Sequence, residues 1–426
     1  MALPKGFMIG SATAAHQVEG NNTNSDCWAQ ELMPHSSFAE PSGTACDHYN
    51  RYEEDIRLLA QAGLKYYRFS TEWARIEPEE GKFNEAEIEH YRKVIACCKA
   101  NGVEPILTLF HFTSPVWLIR KGGWEAESTI ESFRRYAAYV TEKLGSELKY
   151  MCTINEANIG LQIGALQRRY RLMAEQAAKK ADGSVQVGVN FKKMTENMKY
   201  LEQESAEVFG TPQPQIFVSP RTEEGDAIGM RAHQAARKAI KEICPDLKVG
   251  ITLSLHDMQA LPGGEEYVEK EWDGEFLHYV PYLEGDDFLG VQNYTRTLYG
   301  PQGQLPAPEG AELTQMNYEF YPEALEHVIR KVHEAFPGDI LVTENGVATA
   351  DDSRRQEFIR TALKGVEHCI EDGIPVKGYF YWSLMDNFEW QRGYSMTFGL
   401  IAVNRETMER KPKESLYLLG SYAQNL

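Results

Sequence analysis

Two glutamates occupy positions where paired carboxylates would do chemistry. Glu156 directly follows the apolar run 150–155 (YMCTIN), and Glu344 directly follows 340–343 (ILVT) and precedes Asn345-Gly346, a turn signal. As the fourth and seventh strands of a parallel barrel, these runs would put both carboxylates at its C-terminal rim, where βα-loops begin and the catalytic groups of such barrels lie. Strands three apart face each other across the mouth, so the two side chains can converge. A facing pair is what retaining glycoside cleavage needs. One carboxylate attacks the anomeric carbon, and the other protonates the leaving oxygen and later deprotonates water, across a gap of about 5–5.5 Å. The nucleophile must stay ionised, helped by a cation and hydroxyl donors. The acid must hold its proton near neutral pH, which burial and the neighbouring negative charge favour.

Strand context separates these glutamates from look-alikes. Thr195-Glu196-Asn197 repeats Thr343-Glu344-Asn345, but its flanks, Phe-Lys-Lys-Met and Met-Lys-Tyr, form no buried strand. Asn84-Glu85 repeats Asn155-Glu156, but there the pair opens a helix, with Asn as its cap. Neither is assigned a role.

The elements that must position the pair are readable as eight apolar runs, at 7–15, 65–70, 104–109, 150–155, 249–253, 288–294, 340–343 and 376–382. Amphipathic stretches separate several of them. Segment 50–62 places Tyr52, Ile56, Leu59 and Ala60 on one face, and 86–100 and 128–144 behave similarly. Eight strand–helix units over 426 residues predict an α/β chain folded as one (β/α)8 TIM-barrel domain, 1–426. A doubly wound open sheet is the structural rival, and no Gly-x-Gly-x-x-Gly follows the first run to support it. One region breaks the rhythm. Between 164 and 226 the chain is polar, with little apolar alternation until 185–189. It is expected to be a long, partly helical excursion after the fourth strand, either a lid over the site or a solvated surface insertion.

Composition narrows the function classes. Hydrophobic residues make up 42% and charged residues 25%, enough for a large core. Aromatics at 11% suit the flat apolar faces of a sugar cleft, and equally a large aromatic core. A net charge of −18 disfavours phosphate backbones and anionic lipid, so neither nucleic acid nor membrane is an expected partner. No run approaches the length of a membrane span, and the first six residues lack an apolar signal core. The seven cysteines are odd in number and scattered, with no Cys-x-x-Cys. Free thiols, a reducing cytoplasmic location, no metal and no cofactor are therefore expected. The scattered histidines supply no rim His/Asp cluster for a metal-dependent hydrolase.

Five ordered segments resemble glycoside hydrolase family one, the β-glucosidase-like barrels. They are 7–20 (FMIGSATAAHQVEG), 67–76 (YRFSTEWARI), 153–156 (TINE), 343–346 (TENG) and 382–390 (WSLMDNFEW). The likeness runs nearly end to end and thins between 164 and 226. It implies a retaining β-glycosidase whose partner is a small-molecule β-glycoside or oligosaccharide, with Glu344 as nucleophile and Glu156 as acid/base. It further implies that Arg68 and Tyr294 hold Glu344 ionised and oriented, and that Asn155 bonds the sugar 2-hydroxyl. Gln17, His111 and Glu389 would grip other hydroxyls, Trp382 would form the stacking floor, and Trp390 would add contact and an indole donor. Each has a structural alternative: Arg68 as a buried barrel ion pair, and His111, Tyr294 and the two tryptophans as core residues.

The sequence also departs from the family pattern. Ala157 stands where Pro is usual, which predicts a less rigid loop after Glu156. Gln292 stands in place of an asparagine, Phe112 in place of a tryptophan beside His111, and Asn404 where Asp is common. Family members acting on 6-phosphorylated sugars tend to replace the residue at Glu389, because a carboxylate repels phosphate. Phe388-Glu389-Trp390 therefore favours an unphosphorylated glucoside, galactoside or fucoside. Arg168, Arg169 and Arg171 are either an aglycone entrance or a solvated helix face. Competing outcomes are a transglycosylase or a 6-phospho-β-glycosidase, which use the same glutamates, and a non-catalytic sugar-binding barrel, which requires loss of a carboxylate that is present here.

Overall fold

Strands buried on both faces read as nearly continuous apolar runs, and this property makes all eight runs visible in the sequence. The computed structural model describes residues 3–175 and 191–424, the side chains of 169–175 and 191–196 excepted. The barrel strands are β1 Met8–Ala12, β2 Tyr66–Ser70, β3 Glu104–Phe110, β4 Tyr150–Ile154, β5 Lys248–Ser254, β6 Phe288–Gln292, β7 Ile340–Asn345 and β8 Val376–Trp382. They pair in chain order and in parallel, and β1 pairs with both β2 and β8, closing the barrel. The open-sheet rival is thereby removed. The first run was expected to extend to 15 but ends at Ala12, because Ala15–Val18 turns into a short helix.

The longer helices are α1 His48–Gln61, α2 Glu85–Ala100, α3 Ser128–Leu144, α4 Ile159–Glu175, α5 Phe191–Phe209, α6 Glu223–Ile243, α7 Glu265–Glu275, α8 Ala324–Ala335, α9 Asp352–Glu371 and α10 Glu414–Ala423. The Asn84 side chain accepts from Ala86 N and caps α2, as the look-alike dipeptide there required. Strand alternation sorts the core into two layers. Met8, Ile106, Cys152, Phe288, Leu341 and Phe380 fill one, inside the barrel. Their neighbours Ile9, Leu107, Met151, Leu289, Val342 and Tyr379 join the second, which packs under the helices. Glycine makes room for the inner rings: a Cβ on Gly10 would lie 2.3 Å from Tyr66 O and 2.9 Å from the Phe380 ring.

The described part of the excursion after β4 is mostly helical, and α5 is docked. Helix α5 sets Leu201, Val208 and Phe209 against Met33 and Ile119. The His35 ring stacks on Tyr200 at 4.1 Å, and His35 Nδ1 meets Glu204 at 2.5 Å. The chain then returns over the barrel, where Gln215 O accepts from Trp124 N and Phe217 packs against Phe110 and Trp124. Segment 185–189 lies outside the described residues. Two small sheets in the loops had no counterpart in the sequence reading. One joins Asp257–Ala260, Arg296–Gly300 and Gly303–Leu305, and the other pairs Ile401–Val403 with Arg410–Pro412.

Trp73 anchors the outer layer on the β2 side. Its ring stacks on Tyr136 at 5.0 Å and meets Phe110 edge-on, while its Nε1 donates to Glu77 Oε2 at 2.8 Å. Trp73→Ala leaves a large cavity and a buried carboxylate short of a donor. Its expected cost is about 3–5 kcal/mol, measured as a lower urea midpoint at unchanged slope.

Candidate active site

Strand alternation and two local irregularities bring the chemistry to the C-terminal mouth. In β2, Tyr66 faces the barrel interior and Tyr67 the helices, so period two turns Arg68 inward. In β7, Leu341 faces inward and Val342 outward, and regular alternation would send Glu344 outward with Val342. The pairing of β7 shifts register between Val342 and Glu344 against β6, and between Val342 and Asn345 against β8. A bulge of this kind re-aims a side chain, and Glu344 points into the mouth. Glu156 sits just past β4 with φ +43°, a left-handed conformation rare for a non-glycine residue. Its N donates to Thr252 Oγ1 at 2.9 Å, and the next amide, Ala157 N, donates to Thr252 O at 3.0 Å.

Arg68 ties the site together. Its Nη1 donates to Glu344 Oε1 at 2.7 Å, Nη2 to Asn155 Oδ1 at 2.6 Å and Nε to Thr108 Oγ1 at 3.0 Å. The second Glu344 oxygen, Oε2, accepts from Tyr294 OH at 2.6 Å. Asn155 Oδ1 also accepts from Gln292 Nε2 at 2.8 Å and Thr252 Oγ1 at 3.3 Å. Three donors on Oδ1 fix the amide orientation, so Nδ2 is the atom that meets His111 Nε2 at 3.2 Å. That nitrogen of His111 must accept, which places the imidazole proton on Nδ1. Burial and the Arg68 charge push the His111 pKa well below its ordinary value, so the ring is neutral.

The two carboxyls differ in their surroundings. Burial pushes Glu156 well above the usual carboxylate range, and the charges of Glu344 and Glu389 add to this against Arg68. Burial also raises Glu344, but Arg68, Tyr294 and Gln292 all oppose it. The pair's proton therefore resides on Glu156 and the negative charge on Glu344.

The remaining residues form a ring around this pair. The His111 ring lies over Trp382 at 5.6 Å and Trp390 at 6.2 Å, both nearly parallel. Trp390 in turn stacks on His16 at 5.8 Å. Gln17 Nε2 is spent on Phe388 O at 2.7 Å and Asn387 Oδ1 at 3.2 Å. Among the described residues, Gln17 Oε1, His111 Nδ1 and Glu156 Oε2 are buried polar atoms with no protein partner. They supply an acceptor, a donor and an acid for hydroxyl-bearing ligands. Glu389 is buried in the loop after β8, and its charge bears on both Glu156 and Tyr318. Gln17, Arg68, His111, Asn155, Tyr294, Trp382, Glu389 and Trp390 all lie buried at the mouth with Glu156 and Glu344. Arg168 is exposed, and the side chains of Arg169 and Arg171 lie outside the described residues, as do those of Thr195 and Glu196.

The departures resolve in particular ways. Gln292 keeps its contact, because its longer arm reaches both Asn155 and Thr252 Oγ1 at 3.1 Å. The loop after Glu156 is pinned, contrary to the expectation from the missing proline. Ala157 N makes a hydrogen bond that proline lacks, and Ala157 O accepts from Arg221 Nη1 at 3.1 Å. Asn404 Oδ1 accepts from the amides of Glu406 and Thr407, a turn that asparagine serves as well as aspartate. Sequence reasoning missed Thr252, which holds both Asn155 and Glu156, and Tyr318, whose buried hydroxyl has no protein partner among the described residues. The signal for Thr252 was available: Gly250, Thr252 and Ser254 are the small and polar alternate positions of an otherwise apolar strand. One buried group of possible metal ligands exists among the described residues, His16, Cys27 and Glu31. It reads as a closed ion pair. His16 Nε2 meets Glu31 Oε1 at 2.6 Å, and Glu31 Oε2 accepts from Ser42 N and Oγ.

A model described as glycosyl hydrolase family 1 matches residues 1–173 and 287–425. The chain belongs to glycosyl hydrolase family 1. It is 31% identical over 457 residues to a beta-glucosidase of Agrobacterium sp., covering 97% of this chain and 93% of that one. The crystal structure of beta-glycosidase BGL167 aligns with 45% identity and a TM-score of 0.88 over 99% of this chain and 97% of that one. The beta-glucosidase from Thermotoga maritima, solved in complex with cyclophellitol, aligns with 27% identity and a TM-score of 0.80 over 100% and 99% of the two chains. Family 1 membership makes this protein an O-glycoside hydrolase. The family model leaves 174–286 unmatched, a span that contains the excursion and also β5, yet β5 completes the family barrel here.

The partners of Glu344 give a pH signature. Tyr294→Phe removes a hydrogen bond to the ionised carboxylate, worth about 1.5–3 kcal/mol. The Glu344 pKa should rise further, so the acid limb of kcat/KM on an aryl β-glucoside moves to higher pH and the plateau falls roughly 10–100-fold. The alkaline limb, set by Glu156, should move little.

Proposed function

We propose that this protein hydrolyses unphosphorylated β-D-glucosides, with β-galactosides or β-fucosides as further substrates, by double displacement with retention of configuration. Glu344 is the nucleophile and Glu156 the acid/base. The observation that carries the assignment is the asymmetry of the two carboxyls. Both oxygens of Glu344 are held by donors, one of them a guanidinium, while Glu156 Oε2 has no protein partner among the described residues and its proton is held by burial. In the first step Glu344 forms a bond to the anomeric carbon, the glycosidic C–O bond breaks, and Glu156 gives its proton to the departing oxygen. In the second, Glu156 takes a proton from water, the water oxygen bonds to the anomeric carbon, and the ester to Glu344 breaks. Arg68 and Tyr294 stabilise the carboxylate that leaves. The free N–H of Asn155, held by three bonds on its other atom, suits the 2-hydroxyl, where contacts strengthen at the transition state.

Glucoside preference draws on the beta-glucosidase names of the relatives and on Glu389. A buried carboxylate in the sugar ring of residues accepts hydroxyl protons and repels a phosphate. The whole chain acts as one catalytic domain. No helix among the described residues is long and apolar enough to cross a membrane, and all seven cysteines are free, which suits a reducing cytoplasm.

Glu344→Ala should abolish turnover, with azide restoring a glycosyl azide of inverted configuration. Glu156→Ala should cost about 10²–10⁴-fold on poor leaving groups and much less in the first step on activated aryl glucosides. Proton NMR of the first product decides the stereochemistry: a β-anomer from a β-glucoside is expected, and an α-anomer would refute retention.

A further inference from the structure

Gln17 and Trp390, both assigned to the sugar, stand on elements too short to hold them alone. Gln17 lies in the short helix Ala15–Val18, and Trp390 in the loop after β8 with φ +46°. Such a conformation persists at a bulky residue only where the surroundings over-determine it. Hydrogen bonds zip the two elements together: Phe388 N donates to Gln17 O at 3.3 Å, and Gln17 Nε2 donates to Phe388 O at 2.7 Å. These bonds fix the loop at Phe388. They leave the direction of the indole, two residues on, to its packing.

His111, Phe112 and His16 pack on that indole. The His16 ring is parallel to it within 4°, centroids 5.8 Å apart, and meets the Phe388 ring edge-on at 6.0 Å. It thus packs on the residues at both sides of Glu389. Of the three rings, His16 is the one whose plane is set by hydrogen bonds at two nitrogens among the described residues. Glu31 Oε1 lies 2.6 Å from Nε2, and the Asn22 amide lies 3.0 Å from Nδ1. Two in-plane bonds hold the imidazole against rotation about Cβ–Cγ, a torsion that is otherwise broad for a flat ring. Glu31 is anchored in turn, since its Oε2 accepts from Ser42 N at 2.8 Å and Ser42 Oγ at 2.6 Å.

The pair is charged. Burial alone would lower the His16 pKa, but the charges of Glu31, Glu72 and Asp26 raise it above its ordinary value. Burial would raise Glu31, but the His16 charge and the bonds from His16 and Ser42 hold it below the usual carboxylate range. With protons on both ring nitrogens, Nδ1 needs an acceptor. Asn22 Oδ1 is buried with no protein partner among the described residues, and turning that amide end for end offers it to Nδ1–H. An imidazolium stacked within about 6 Å of an indole centroid also gains from the ring's quadrupole. Among the described residues neither His16 nor Glu31 bonds to Glu156, Glu344 or Arg68, whose partners lie on other strands. The pair therefore bears on how the sugar is held and not on the reacting atoms.

We propose that the His16–Glu31 ion pair is a positioning device for the sugar site, with His16 the positioning residue that fixes the Trp390 indole beside the sugar. The proposal rests on the glucosidase reading above and adds to it a residue pair that stands behind the sugar contacts.

The test uses the full-length enzyme, with 4-nitrophenyl β-D-glucoside as substrate and the glucose-shaped iminosugar isofagomine as ligand. Glu31→Gln removes the charge and His16→Gln removes the ring. Each should raise KM and the calorimetric Kd of isofagomine about 5–20-fold, with kcat within about threefold of wild type. In a Trp390→Leu background Glu31→Gln should add less than about twofold to either constant, because the indole through which the pair acts is gone. Wild-type KM and Kd in both variants, with only Tm lowered, would overturn the proposal. Full additivity with Trp390→Leu, or a loss in kcat as large as that in KM, would do the same. Failure of both variants to fold would make the pair purely structural and also overturn it. A wild type that binds isofagomine without turning over the glucoside would overturn the glucosidase reading, and the Kd series alone would then decide the positioning role.

Discussion

A guanidinium buried at a barrel mouth has to find an acceptor for nearly every N–H, because an unpaired buried charge costs several kcal/mol. Arg68 does so through Glu344 and Thr343 O, through Asn155 and through Thr108, and thereby joins β2 to β3, β4 and β7. Much of the site follows from this one residue. It faces three acids at the mouth, Glu156, Glu344 and Glu389, and a single cation cannot balance three charges. Glu344 lies against Arg68, so the excess negative charge is relieved by a proton on Glu156. The division of labour between the carboxyls thus comes from where the cation sits, not from any difference in the carboxyls themselves.

The same residue sets the polar chain beyond the carboxyls. Arg68 on Asn155 Oδ1, with Gln292 and Thr252 beside it, turns the amide so that its N–H groups face His111 and the ligand. His111 then has to be neutral with its proton on Nδ1, and the nearby Arg68 charge enforces neutrality. A change at β2 is therefore felt at β3 through two bonds and one tautomer. Pre-set donors and acceptors of this kind stabilise developing charge without reorganising during the reaction.

The eight strands could be read from the sequence because parallel barrel strands are buried on both faces and bounded by turns. The two glutamates proposed as catalytic could be read because strand ends are where such barrels place chemistry. What escaped was short or contextual. The three-residue and four-residue strands of the loop sheets carry too little pattern to stand out. The excursion looked polar because the described side chains of α5 pack a narrow apolar stripe, Leu201, Val208 and Phe209, among lysines and glutamates. The partners of Gln292 escaped because residue type says nothing of reach, and its arm meets both Asn155 and Thr252. Ala157 looked like a loosened hinge because a missing proline ring was visible, whereas the hydrogen bond made possible by its absence was not.

Backbone strain is distributed in keeping with this division. Among the described residues eight non-glycine positions have positive φ, and three of them, Phe112, Glu156 and Trp390, line the mouth. Each such conformation costs on the order of 1–3 kcal/mol and persists only where the surroundings over-determine it. For Glu156 the surroundings are visible: amides 156 and 157 are both held by Thr252, on β5. The family model does not match β5 in this chain, yet the barrel needs it to close and Glu156 needs it to point inward. Sequence likeness and structural necessity therefore diverge here. In this chain the strand offers a small residue at 250, a hydroxyl at 252 and apolar side chains toward the helices. Barrel geometry thereby holds Glu156 inward from a strand in the span that the family model does not match.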